Sequence, residues 1–112
     1  MFEDVPDDAR IMRDEPFGPV APANTFRNID EAIERANDTE YGLSAYVFTR
    51  DLGRAQNLSG SIRAGMVGVN TFAIAHAEAP FGGVNYSGMG REGGRQAIHD
   101  YLNVKLSHFM PG

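Results

Sequence analysis

Apolar and polar positions along this chain alternate between a period near two and a period near 3.6. Val20 to Phe26 is rich in apolar and β-branched residues but interrupted by Pro22, which predicts a strand at an edge or one carrying an irregularity. Asn28-Ile29-Asp30 then supplies capping side chains, and Ala32, Ile33 and Ala36 fall on one face of a short amphipathic helix ending near Asn37-Asp38. After a turn at Tyr41-Gly42, Leu43 to Thr49 has the β-branched and aromatic content of a strand. Asp51 is an N-cap for a second helix to about Ile62, with Leu52, Ala55, Leu58 and Ile62 as its inward stripe and Gly65 closing it. Met66 to Asn70 is a short apolar run bounded by turn signals, the pattern of a strand buried on both faces.

Two strand-helix-strand units in succession predict an α/β fold: a short parallel-type sheet with crossover helices. Residues 71 to 90 form a long connection rich in Gly, Ala and Pro, and a loop of that length is commonly functional. Glu92 to Tyr101 reads as a third helix with Ala97, Ile98 and Tyr101 inward, and Leu102 to Met110 as a final strand. Nothing follows to cover that strand, so its open edge is an expected site of pairing with another subunit.

Length and composition narrow the class. At 112 residues and 42% hydrophobic content, one domain with a modest core is expected, and 13 glycines with six prolines predict tight turns and short elements. A net charge of −5 without a basic patch argues against a nucleic-acid partner. The N-terminus has neither a basic region nor an apolar one of signal-peptide type, and no run approaches the roughly 20 apolar residues of a membrane span. The expectation is a soluble, cytoplasmic protein. With no cysteine there are no disulfides and no thiolate-rich zinc site.

Candidate chemistry is sparse. Gly88-Met89-Gly90-Arg91-Glu92-Gly93 is a literal G-x-G-x-x-G, yet no good strand precedes it and no acidic residue stands at the required distance beyond it. These glycines suit a tight turn packed against the final helix better than a dinucleotide fingerprint. His76, His99 and His108 are too dispersed for a local metal pair, so no metal site is expected, and His99 falls on the exposed side of the last helix. No serine has the context of a nucleophile elbow. Asn70 and Arg91 read as structural hydrogen-bonding residues.

A set of blocks takes the reading further. They are Asp14-Glu15-Pro16-Phe17-Gly18-Pro19-Val20, Glu31-Ala32-Ile33 leading to Ala36 through Ala45, Val47-Phe48-Thr49-Arg50-Asp51, Gly65 to Asn70, and Pro80-Phe81-Gly82-Gly83 through Gly93. In order and spacing these resemble the C-terminal portion of the aldehyde dehydrogenase superfamily, and most closely its succinate-semialdehyde dehydrogenase branch. The resemblance covers nearly the whole chain: 1–101 as a catalytic-domain portion with a cofactor-contact motif, 102–112 as a terminal oligomerisation strand.

The resemblance implies an NAD- or NADP-dependent oxidation of an aldehyde to an acid, in which a cysteine thiolate attacks the carbonyl. It matches Glu15 to the glutamate that accepts hydrogen bonds from the nicotinamide ribose, and Phe17 to the aromatic beside the nicotinamide ring. It matches Phe81 and the loop from Phe72 to Glu78 to the wall of the aldehyde tunnel. Where succinate-semialdehyde enzymes place a carboxylate-binding serine, this chain has Ala75 and His76, so a protonated His76 is a replacement contact. Another semialdehyde or an aliphatic aldehyde stands beside succinate semialdehyde as substrate. The resemblance places the catalytic cysteine and the Rossmann domain upstream, so no catalytic residue is assigned here, and the chain alone is expected to be inactive. A homo-oligomer through the last strand is implied. The competing expectation is a free-standing structural or interaction module.

Overall fold

The computed structural model describes residues 1–112. In chain order its elements are β1 (Phe2–Glu3), α1 (Arg10–Arg13), β2 (Pro22–Ala23), α2 (Ile29–Asn37), β3 (Ser44–Val47), α3 (Leu52–Ser61) and β4 (Met66–Val69). Two short 3-10 turns follow, at Asn85–Ser87 and Gln96–Tyr101.

The middle of the chain folds as its pattern predicts, and for the expected local reasons. Asn28 caps α2 by accepting from Glu31 N–H at 2.9 Å, and Asp51 caps α3 by accepting from Arg54 N–H at 2.8 Å. β3 and β4 pair in parallel, Ser44 opposite Met66 through Val47 opposite Val69, with α3 as the connection between them. Ala55 and Leu58 of α3 and Val47 and Met66 of the sheet are the buried apolar side chains. Asn70 closes this unit with a φ of 55°, a left-handed conformation that Asn tolerates better than most residues.

Several expectations are corrected. The strand over Val20–Phe26 shortens to Pro22–Ala23, because Pro22 has no N–H to extend a ladder, and it pairs in parallel with β1 in a separate two-stranded sheet. The fold is therefore α/β with two small parallel sheets rather than one. β4 is buried on alternate residues only, since a two-stranded sheet leaves its other face partly open. Leu52 is 75% exposed: a sheet only four residues long is too short to cover the first turn of α3. Ala36 is likewise exposed, and α2 buries no residue fully.

The third helix is replaced by the single 3-10 stretch Gln96–Tyr101, with Ile98 and Tyr101 outward, because no layer of this chain packs against it. Residues 102–110 form no strand. Beyond the Leu102 N–H no main-chain hydrogen bond is made, and Val104, Leu106, Phe109 and Met110 are all strongly exposed. A ladder needs a partner strand, and this chain supplies none within reach. No helix is long and apolar enough to cross a membrane.

The resulting body is elongated, 72 × 33 × 25 Å, with a radius of gyration of 18.7 Å where about 13 Å is usual for a compact domain of this length. Its accessible surface is 9217 Å², against roughly 6,000 Å² for a compact monomer of this mass. Among the exposed groups is an aromatic cluster on the sheet: Phe72 packs on Tyr46 and Phe48 with ring centroids 5.1 and 5.0 Å apart. These three rings cover one another but are themselves 42 to 71% exposed.

Candidate functional site: a cleft on the loop between β4 and the last turn

The connection after β4 is ordered by main-chain contacts. Phe81 and Glu92 exchange two hydrogen bonds, at 2.7 and 2.8 Å, forming an isolated antiparallel bridge. Gly94 N–H donates to Ala77 O at 2.9 Å, and Ala79 N–H to His76 O at 3.1 Å. The Arg91 guanidinium donates to Gly83 O at 2.7 Å and to Gly90 O at 2.8 Å, the structural role expected of it. Gly93 has a φ of 69°, and a Cβ there would lie 2.7 Å from Ala79 O, so this turn requires glycine on both counts.

These ties fold residues 75–81 around a cleft of about 460 Å³ lined by Ala75, His76, Ala77, Phe81, Glu92 and Gly93. Three of the residues singled out from the sequence, Ala75, His76 and Phe81, thus come together in space. The His76 ring contacts Ala73 O through Nε2 at 3.1 Å, a hydrogen bond when Nε2 carries the proton, which leaves Nδ1 free. Phe81 is half-buried and Ala75 exposed, giving the cleft an apolar side, while Glu92 adds a carboxylate that the sequence reading did not assign. The signal for Glu92 was present only as its place in the last block; its neighbourhood depends on the Phe81 bridge, which no local pattern announces.

Glu15 and Phe17 stand elsewhere. Glu15 borders a depression of about 280 Å³ together with Tyr41, Gly42, Leu43, Ser44, Arg63 and other residues at the N-terminal end of β3. It makes no hydrogen bond or ion pair within the chain, so its carboxylate is an open acceptor. Phe17 is 92% exposed, two residues further along, and borders neither this depression nor the cleft. A further, polar depression of about 470 Å³ lies between Asp7, Glu34, Arg35, Asp38 and Arg63. There the Arg35–Asp7 ion pair and Arg63, which donates to Asn37 O, serve to tie α2 to its neighbours.

The fold is an α/β arrangement with small parallel sheets carrying a loop-built cleft. The family profile described as "Aldehyde dehydrogenase family" matches residues 1–107, and the chain belongs to that family. It is 52% identical over 96 residues to 3-sulfolactaldehyde dehydrogenase of Pseudomonas putida, covering 86% of this chain and 20% of that protein. It is 46% identical over 102 residues to the NADP+ succinate-semialdehyde dehydrogenase of Escherichia coli, covering 91% of this chain and 21% of that one. Among solved structures it superposes with a TM-score of 0.87 and 42% identity on a P. syringae indole-3-acetaldehyde dehydrogenase variant in complex with NAD+ and IAA. That match covers 92% of this chain and 21% of the other. The chain therefore spans about a fifth of the length of these relatives.

Proposed function

We propose that this chain is the C-terminal portion of an NAD(P)-dependent aldehyde dehydrogenase, supplying a wall of the aldehyde site and contacts to the cofactor. The observation that carries this reading is the convergence of Ala75, His76 and Phe81 on one cleft in a member of this family. On this reading the substrate enters beside Phe81, whose ring excludes water from the reacting carbonyl. His76, when protonated, offers Nδ1–H to the distal carboxylate of a semialdehyde such as succinate semialdehyde, while Glu92 opposes a negative charge in the same cleft.

Glu15 and Phe17 fit a nicotinamide dinucleotide. An unpaired carboxylate is acceptor-only and suits a ribose diol, which has donors to give, and an uncovered aromatic face suits a planar ring. The cofactor, when bound, supplies the two-electron acceptor. Glu15 orients the ribose and Phe17 limits where the ring can lie. The nucleophilic thiolate cannot come from these 112 residues, which contain no cysteine, so the isolated chain is inactive on this proposal.

The alternative of a free-standing module is disfavoured by the excess of uncovered apolar surface. The test is a chimera in which residues 1–107 replace the matching part of the P. putida relative. NAD(P)-dependent aldehyde oxidation by the chimera supports the reading, and a folded but inactive chimera sinks it.

A further inference from the structure

The turn at residues 88–94 and the short 3-10 stretch after it touch each other in a way the family resemblance does not explain. The Asp100 carboxylate accepts from the Arg91 N–H through Oδ2 at 2.8 Å. It also packs so tightly on Gly90 that a Cβ at that position would lie 2.8 Å from the same oxygen. Arg91, held at its amide, reaches with its guanidinium to Gly83 O and Gly90 O, and the next residue, Glu92, makes the double bridge to Phe81. Gly94 then binds Ala77 O. The ties from Ala77, Phe81 and Gly83 on the two sides of the cleft therefore run to residues 91–94, and the Asp100 carboxylate is the side-chain acceptor that receives an amide of that segment.

We propose that Asp100 is a positioning residue that, by clamping the Arg91 amide, sets the opening of the cleft formed by Ala75, His76 and Phe81. Asp100 does not line the cleft and acts only through the Arg91–Glu92 segment. Its carboxylate is anionic and accepts from a main-chain N–H, a charge-assisted contact that is stronger than a neutral one. Without it, the Arg91 amide has no other acceptor in the chain. The turn then loosens, and with it the register of Glu92 on Phe81. This inference rests on the cleft being the aldehyde site, as proposed above, but its first test does not.

That first test is made on the 112-residue chain itself, by amide hydrogen exchange. Asp100→Ala is expected to speed exchange at the Phe81, Glu92 and Gly94 amides about tenfold, the equivalent of one weakened charge-assisted contact, while the β3–β4 amides keep their rates. Asp100→Asn, whose side-chain oxygen still accepts from Arg91, is expected to restore most of the protection. Unchanged rates at Phe81 and Gly94, or equal acceleration throughout the chain, overturn the proposal.

The second test uses the chimera with the P. putida relative. There Asp100→Ala is expected to raise KM for the aldehyde about tenfold. The KM for NAD(P) and the kcat at saturating aldehyde are expected to stay within twofold. A parallel rise in both KM values marks a merely structural role and overturns the proposal. An inactive chimera with selective exchange in the first test overturns the function proposed above and leaves the clamp standing.

Discussion

Asn70 and Thr49 exchange two hydrogen bonds through a side chain: Thr49 N–H donates to Asn70 Oδ1, and Asn70 Nδ2 donates to Thr49 O, both at 2.9 Å. The carboxamide imitates one more rung of the β3–β4 ladder at the point where the chain turns away with a positive φ. Replacing Asn70 by Ala removes both bonds and puts a less tolerant residue in a left-handed conformation. A loss of about 1–3 kcal/mol in urea unfolding is expected. Asn70→Gly, which keeps the backbone freedom, should lose less. Equal stability for all three proteins would mean that the pairing contributes nothing.

Glu31 provides a pH signature. Its carboxylate accepts from both the N–H and the side chain of Arg27, at 2.8 and 3.0 Å, and the main-chain bond is the larger cause of a pKa held below the ordinary glutamate value. A group lowered on folding stabilises the native state above its unfolded pKa and ceases to do so as pH falls through the folded one. Glu31→Gln should thus destabilise the chain at neutral pH, and the gap from the unsubstituted protein should close as pH falls beneath the ordinary glutamate range and through the lowered folded value. Thermal unfolding followed across pH 2.5–7 measures this; a gap that persists at the acid end contradicts it.

On the proposed function, two neighbours in the cleft have opposite effects on an anionic substrate. In the chimera, His76→Ala should raise KM for succinate semialdehyde severalfold while leaving a neutral aldehyde of similar length nearly unaffected. Glu92→Gln should lower KM for the charged substrate and again spare the neutral one. Steady-state kinetics on the substrate pair decide the matter, and equal effects on both would show that neither group meets the anionic end.

The cofactor contacts proposed for Glu15 and Phe17 lie apart from the cleft and are tested separately. Glu15→Gln keeps the size of the side chain but weakens its acceptor strength, and should raise KM for NAD(P) about tenfold with little change in the aldehyde KM. Phe17→Ala should act on the same parameter. An effect confined to the aldehyde would place both residues at the wrong ligand.

The uncovered apolar surface has a physical cost in solution. With Tyr46, Phe48 and Phe72 on the sheet and Val104, Leu106 and Phe109 beyond it, the isolated chain should self-associate at micromolar concentration. Val104→Lys with Leu106→Lys should shift the sedimentation profile toward monomer if the terminal segment pairs between copies, as a homo-oligomer through that segment requires. An unchanged profile would leave the aromatic cluster as the contact.

The parts of the fold that were legible in the sequence are those whose causes are local. Asn28 and Asp51 cap their helices through bonds spanning three residues, and Ala55 and Leu58 face the sheet at helical spacing, so α2, β3, α3 and β4 follow from pattern and capping alone. The 3-10 stretch at 96–101 was misread as a full helix because periodicity requires a layer to pack against, and none is present. The tail at 102–110 has the alternation of a strand, but alternation specifies a face and not a partner. Of the candidate site, Ala75, His76 and Phe81 were reached only through the family resemblance. Their meeting depends on main-chain bonds between 76–83 and 90–94, which carry no side-chain signature. The carboxamide of Asn37, which joins Ser61 O to the Arg63 N–H, is legible in the sequence only as a helix end, because its partners lie 24 and 26 residues away.

Two close approaches run in series from the sheet toward the cleft: Gly65 lies against Gly82 and Gly82 against Gly90, each too tight for a Cβ. The linkage is made of main chain, which has no rotamers to exchange. On the proposed function the Gly82 side of the cleft is therefore mounted like a jaw on its hinge, and changes of side chain at Ala75, His76 and Phe81 alter what it grips without moving that mounting. Selection on substrate range has a bench of replaceable parts there, on a frame that leaves almost nothing to vary.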